Sequence, residues 1–463
     1  MSEFSLGALR ALAGEDAVLS SDADMKSYLE DWRGVFHGSA QAVVRPSCAS
    51  AVADIVRYCA QTNTAVVPQG GNTGLAAGAT PVDLESAIVL SLSRMREIRS
   101  VDAAGNTIAV DAGCVLTAVQ EAAQNAERYF PLSLGAEGSA QIGGLIATNA
   151  GGSGVLRYGT MRGLVLGLEA VLPDGRLIDG MRALRKDNAG YDWKQLFIGS
   201  EGTLGIITGA VLRLFPKLKH RVTALVGLQS TDDIVRVFSL LQSDLGETLD
   251  ACELFSDVTL GLRIEQEPLR EAPMARYPWY LLVEAASSLP GLKDATHQAL
   301  AHLIGESVAL DCVIAGSPQQ AGALWEWRES IPETERRAGR SAKHDVSVPV
   351  SSIPSFIDEA TFAVESAYAG SRVLAFGHVG DGNVHFNVIL PPGRDLATEV
   401  NAAVHEIVRA YRGSITAEHG IGRYRRDDLV NHRSAAEIQL MHRIKSALDP
   451  SGNMNPGAVL PRR

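Results

Sequence analysis

The residues best suited to chemistry are two histidines and a Glu-His pair. His378 and His385 lie in Gly377-His378-Val379-Gly380-Asp381-Gly382-Asn383-Val384-His385-Phe386-Asn387, and the pair in Ala417-Glu418-His419-Gly420. Asp381-Gly382 is a dipeptide suited to the positive φ of a tight hairpin, so the first segment is expected to fold as two short strands. That fold brings His378 and His385 side by side. With Glu418 they form a His2Glu set that suits a divalent zinc, manganese or cobalt ion and leaves a position open for substrate. His419, next to the third ligand, is a base within reach of whatever the metal holds. Any one of these histidines alone reads as an ordinary strand residue. The joint pattern, with glycines around every member, points to a site.

Glycine-dense loops form a second set of signals. Val67-Pro68-Gln69-Gly70-Gly71-Asn72-Thr73-Gly74 follows an apolar run that reads as a strand. Such loops let successive backbone N–H groups curl around an anion, as a phosphate nest does. This one is neither the G-x-G-x-x-G of a Rossmann unit nor a Walker loop. Three more support it: Gly135 to Gly144, Thr148-Asn149-Ala150-Gly151-Gly152, and Gly199-Ser200-Glu201-Gly202-Thr203-Leu204-Gly205. Four such elements exceed what turns require.

The elements that must carry these residues are legible in outline. Residues 1 to 37 read as helical. Strand, helix and strand follow over Ala42 to Arg45, Ala49 to Gln61 and Ala65 to Pro68, with Pro46-Ser47 as stop and cap. Ile88 to Leu90, Thr107 to Asp111 and Glu169 to Leu172 continue the alternation, and Trp279 to Glu284 reads as a strand of a second domain. The tail from Asp427 reads as a helix ending at Asp449-Pro450. A chain of 463 residues holds two or three packed units. The expected division is 1–216, 217–426 and 427–463. No run approaches the roughly 18 apolar residues of a membrane span. The N-terminus lacks the basic start and apolar stretch of a secretory signal. The five cysteines are scattered and odd in number, as for reduced thiols, so a cytoplasmic location is expected. A net charge of −11 with no basic stripe argues against a nucleic-acid partner.

The elements Pro-x-Gly-Gly-x-Thr-Gly, Ile-Gly-Gly-x-Ile-Ala-Thr-Asn-Ala-Gly-Gly, Gly-Ser-Glu-Gly-Thr-Leu-Gly-Ile-Ile-Thr and Asn-Pro-Gly resemble the vanillyl-alcohol-oxidase superfamily of FAD proteins. Gly-His-x-Gly-Asp-Gly-Asn-x-His and Ala-Glu-His-Gly-Ile-Gly are similar to its D-2-hydroxyacid dehydrogenase branch, closest to the D-2-hydroxyglutarate dehydrogenases. The resemblance runs over roughly residues 40 to 460. It implies an α+β fold: an FAD-binding domain over 1–216, an antiparallel-sheet substrate (cap) domain with the metal site over 217–426, and a C-terminal helical segment returning to the FAD domain. It further implies that Pro68, Gly70, Gly71, Asn72, Thr73 and Gly74 wrap the FAD pyrophosphate. Ser139, Gly143, Gly144, Asn149 and Gly152 would line the cofactor, with Glu201, Gly202 and Asn455 beside it. Covalently flavinylated relatives often offer a histidine in the first loop. Asn72 stands there, so noncovalent FAD is expected.

Arg328, between Trp327 and Glu329, is by chemistry a fork for a carboxylate, and Lys343 a point charge for a second contact. Arg336, Arg337 and Arg340 read as a solvated helix face. The resembled group sets an Arg, and a Lys fifteen residues on, against substrate carboxylates; Arg328 and Lys343 keep that spacing, and Asn387 matches an Asn beyond the second metal histidine. Pro332 departs from the pattern, where the group can offer a hydroxyl. The implied reaction is oxidation of D-2-hydroxyglutarate, with D-malate as a further substrate. The metal, zinc foremost, binds the 2-hydroxyl; His419 takes its proton and also contacts substrate; hydride passes to flavin N5. Electrons then go to an external acceptor such as an electron-transfer flavoprotein or quinone, and a homodimer is compatible with the sequence. The rival expectations are a D-lactate or glycolate dehydrogenase, a non-catalytic flavin-fold subunit of a complex and, more distantly, a zinc hydrolase.

Overall fold

Ala42–Val44, Ala65–Gln69 and Ala87–Ser91 are apolar up to the closing Gln69 and Ser91 and almost wholly buried, the pattern of strands covered on both faces. They pair in parallel in the order Ala42–Val44, Ala87–Ser91, Ala65–Gln69, with Val18–Leu19 as an antiparallel edge. The structure is a computed structural model describing residues 3–461, and the chain divides into two units. The first comprises Met1–Gly152, Gly159–Lys217 and Glu418–Arg463; the second comprises Ser153–Tyr158 and Leu218–Ala417.

In the first unit a second sheet is antiparallel, in the order Ile98–Asp102, Thr107–Asp111, Ile206–Arg213, Val165–Val171, Leu177–Gly180. Its charged residues are collected by Arg99, which bonds Asp111 at 2.7 Å and Glu169 at 2.8 Å. The helix Ala49–Gln61 forms over the expected residues, but its cap is one residue beyond the expected Ser47. Cys48 is its N-cap and makes no capping bond, its Sγ lying 3.2 Å from the Ser50 hydroxyl. The expected single tail helix is two, Arg426–His432 and Ala435–Leu448. The break is a capping box: Ser434 accepts the Glu437 N–H while the Glu437 carboxylate accepts the Ser434 N–H, which starts a new helix. The tail then joins the first sheet, Asn455 N–H donating to the Val66 carbonyl at 2.8 Å. Lys445 pins the same stretch by donating to the Met454 and Thr203 carbonyls.

The second unit is built on one large antiparallel sheet. Its path runs Asp311–Ile314, His220–Leu228, Trp279–Ser287, Leu249–Ser256, Arg372–His378, Asn383–Ile389, Ser341–Ala342, and Asp345–Ser347 also pairs with Asn383–Ile389. Strand alternation divides its core in two. Leu281, Val283 and Ala285 pack with Ile234, Leu241, Leu300 and Phe356 of three helices. Tyr280 and Leu282, the intervening residues, pack with Leu260, Leu324, Trp327 and Ile331. The sheet therefore carries helices on both faces, and its Arg372–Ile389 hairpin is held rigidly from each side.

Candidate active site and flavin cradle

The hairpin pairs Arg372–His378 with Asn383–Ile389, setting His378 opposite Asn383 and His385 opposite Phe376. The histidines are thus diagonal neighbours on one face. Their ring centroids lie 5.7 Å apart at 77°. The connection is longer than a two-residue turn. Val379–Asp381 form one 3-10 turn, and Gly382 alone takes the left-handed conformation, at φ 77. The loop folds inward because Val379 is fully buried and Gly382 lies against the Val348 carbonyl, which a Cβ would overlap.

The chain reaches Glu418 from this sheet. Asp345 pairs with Thr416 in a parallel bridge and its carbonyl accepts the Ala417 N–H at 2.9 Å, carrying the chain up to Glu418. Ligand atoms of His378, His385 and Glu418 all lie within 4.8 Å of one another. Asp345, Glu418 and His419 form an overlapping group by the same measure. Two imidazole nitrogens and one carboxylate oxygen are the donor set of a catalytic divalent metal, so these residues fit such an ion. His378 Nδ1 lies 2.6 Å from Glu253 Oε1, leaving Nε2 for a ligand role. His385 Nδ1 stands 3.7 Å from Asp345 Oδ1.

Arg328 is buried, and both its Nε and Nη2 meet Glu253 Oε2 at 3.0 Å. Its guanidinium lies 4.9 Å from the centre of the ring of Phe376, two residues before His378 on the same strand. Lys343 is half-exposed, its Nζ 3.4 Å from Glu335 Oε2. Asn387 donates to the same Glu335 oxygen at 2.8 Å and accepts the His344 N–H at 3.1 Å. Ser341 also donates to Glu335. Two carboxylates, Glu253 and Glu335, thus anchor the groups that sequence singled out, and sequence reasoning missed both. Burial pushes the Glu253 carboxyl up, but the nearby charges of His378 and Arg328 outweigh this and hold it below the ordinary range. One signal for Glu253 was present: with Asp250 it is one of two charged residues inside the otherwise largely apolar strand Leu249–Ser256. Glu335 was masked by the charged helix around it, although it alone among those charges is fully buried.

In the first unit the glycines divide into two kinds. A Cβ at Gly71 would overlap the Ser139 carbonyl, one at Gly152 the Ser133 carbonyl, and one at Gly143 would come 2.8 Å from Ala112 Cβ. These three serve the protein's own close packing. Gly74 and Gly144 instead face open space, where an added Cβ would meet nothing. Gln141, beside Gly70, has a buried Oε1 with no hydrogen-bond partner among the described residues. Bare backbone facing open space and an unsatisfied buried acceptor fit a bound dinucleotide at this loop cluster.

Several other expected cofactor residues have side chains committed to loop structure. Asn72, at φ 53, donates to the Ser27 and Glu30 carbonyls. Asn149 accepts the Arg162 N–H, and Asn455 donates to the Gly78 and Glu201 carbonyls. Gly202 lies over Pro68, with a Cβ position 3.0 Å from its ring. Ser139 is exposed and Thr73 partly so. Glu201, at φ 50, accepts the Ile421 and Gly422 N–H groups at 2.8 Å each, clamping the loop that follows His419. Burial pushes its carboxyl up to about 7, against the opposing pull of those two N–H groups and Arg423.

Residues 40–180 match a family model described as an FAD binding domain, and residues 217–459 match the C-terminal domain of FAD linked oxidases. The chain is 38% identical to a mitochondrial D-2-hydroxyglutarate dehydrogenase of Danio rerio, over 98% of this chain and 85% of that one. The figures for the Bos taurus protein of the same name are 37%, 100% and 84%. Among solved structures, alkyldihydroxyacetonephosphate synthase superposes with a TM-score of 0.76 at 15% identity, over 98% of this chain and 85% of that one. Together with the two family models, that likeness bears out the expected α+β fold with its vanillyl-alcohol-oxidase-type FAD-binding domain. The cytoplasmic expectation is corrected, since both relatives are mitochondrial by name. Scattered reduced thiols mark a reducing environment and do not identify which compartment supplies it. Among the described residues no helix is long and apolar enough to cross a membrane.

Proposed function

The chain belongs to the FAD-linked oxidase family that includes the D-2-hydroxyglutarate dehydrogenases, and from that premise we propose that its substrate is D-2-hydroxyglutarate, with D-malate as a second. It is an FAD-dependent D-2-hydroxyacid dehydrogenase. The finer reading adds noncovalent FAD, a divalent cation (zinc foremost) held by His378, His385 and Glu418, and an external electron acceptor. When bound, FAD takes up the two electrons and the cation polarises the substrate's 2-hydroxyl. His419 takes the hydroxyl proton on a ring nitrogen as general base. Arg328 presents a guanidinium to one carboxylate, its orientation set by Glu253. Lys343 supplies the point charge for the other, with Asn387 and Glu335 holding its surroundings. The loop from Gly70 to Gly74, entered from Pro68, and Gly144 would cradle the cofactor phosphates with backbone N–H groups.

One observation carries this reading: ligand atoms of His378, His385 and Glu418 converge within 4.8 Å, with His419 in the overlapping group. The convergence occurs in a chain alike over nearly its whole length to enzymes named for D-2-hydroxyglutarate. A second reading, D-lactate or glycolate oxidation, is favoured by the pairing of Lys343 with Glu335, which reduces the charge available to a distal carboxylate. Anaerobic flavin bleaching by D-2-hydroxyglutarate, D-malate and D-lactate separates the two. Faster bleaching by the dicarboxylates supports the first. Bleaching by D-lactate alone overturns it.

A further inference from the structure

Glu253 lies outside every motif of the sequence and touches two of the groups assigned above. Antiparallel register sets it directly opposite His378, so the two side chains leave one face of the sheet as a cross-strand pair. Its two oxygens are divided between different tasks. Oε1 stands 2.6 Å from His378 Nδ1, and Oε2 takes both Nε and Nη2 of Arg328 at 3.0 Å. Glu253 is 1% exposed and Arg328 8%, so water cannot substitute for either partner. Phe376 closes the arrangement: its ring lies 4.9 Å from the Arg328 guanidinium and 4.9 Å from the His385 ring.

We propose that Glu253 is a positioning residue that couples metal binding to carboxylate binding, orienting His378 through Nδ1 and Arg328 through its Nε/Nη2 edge. This rests on the metal reading given under the proposed function. The carboxylate fixes His378 with its proton on Nδ1 and Nε2 turned toward the ligand group, as carboxylate partners of metal-bound histidines do. It also occupies the edge of Arg328 best suited to a bidentate carboxylate. Arg328 therefore meets a substrate with a guanidinium already oriented by the same group that orients the metal ligand. A single change at Glu253 should disturb both functions together.

The test compares wild type and E253Q for zinc affinity by chelator competition, bound flavin, and the KM and kcat of the 2-hydroxy acid at saturating zinc. E253Q should bind zinc about 10- to 100-fold more weakly, by the usual cost of losing a partner of a ligand histidine. KM should rise and flavin content should stay unchanged. Wild-type zinc affinity in E253Q overturns the proposal. Wild type that binds no zinc and turns over fully after chelation overturns the metal reading and the proposal with it, so the two failures are distinguishable. Should E253Q fail to fold, nitrogen-15 histidine spectra of metal-free wild type decide, with His378 assigned by H378N. A proton on Nδ1 supports the proposal, and a proton on Nε2 overturns it.

Discussion

Glu418 and His419 are chain neighbours with different tasks, and the difference can be measured. His419→Ala removes the proposed base, so kcat should fall by about 10²- to 10⁴-fold with metal content near wild type. Glu418→Ala removes a ligand, so metal content itself should fall. Loss of metal in both variants would defeat the division of labour. Lys343 reports on substrate. If it contacts the distal carboxylate, Lys343→Ala should raise KM for D-2-hydroxyglutarate by about 10- to 150-fold, the range of a charged hydrogen bond. The same change should leave D-lactate nearly unaffected. Equal harm to both substrates would mean that Lys343 acts through Glu335 on the local fold. Residue type alone marked Lys343 and Arg328 as cations available to an anion. It could not show that Glu335 and Glu253 already partner them, because those carboxylates approach only when strands and helices pack.

At the scale of elements, the hairpin of the second unit and the loop after His419 in the first can each be tested. Gly382 sits at φ 77 with its Cβ position against the Val348 carbonyl, so Gly382→Ala combines backbone strain with a clash. The variant should lose metal affinity while keeping FAD, whose loops belong to the first unit; equal loss of both would contradict the separation. Glu201 clamps the loop after His419. Its carboxyl is raised to about 7 in the folded chain, above its unfolded value, so the folded state holds the extra proton between those two values. The contribution to stability is therefore fully present below the unfolded value and is lost as pH rises through about 7. Denaturant titrations of wild type should show stability declining across that interval, and Glu201→Gln should flatten the decline. An unchanged slope in the variant would assign the dependence elsewhere.

For the whole molecule, the flavin and the cation are separate groups, and removal experiments should treat them separately. Acid precipitation should release the yellow chromophore into solution, as expected of a noncovalent flavin; colour retained in the pellet would contradict this. Exhaustive chelation should abolish turnover and leave the flavin spectrum intact, with zinc, manganese or cobalt restoring activity. Full activity in metal-free protein would remove the metal from the mechanism.

The sequence by itself determined the Ala42–Val44, Ala49–Gln61, Ala65–Gln69, Ala87–Ser91 and Thr107–Asp111 segments of the first unit, the Trp279–Ser287 strand and the hairpin around Asp381-Gly382, because apolar periodicity and turn residues act over a few neighbours. It also marked the family, through glycine motifs whose backbone demands few other residues meet. The details that escaped it were decided by contacts over long separations. The hairpin loop is longer than its Asp-Gly signal because Val379 is drawn into the core and Gly382 packs on Val348. Glu253 reaches His378 across 125 residues of chain only through sheet register, and Asn387 reaches Glu335 across 52 through the packing of a helix on that sheet. Local sequence carries no record of which strands become neighbours. Register and burial therefore decided which carboxylates orient the site, and only the folded chain holds that information.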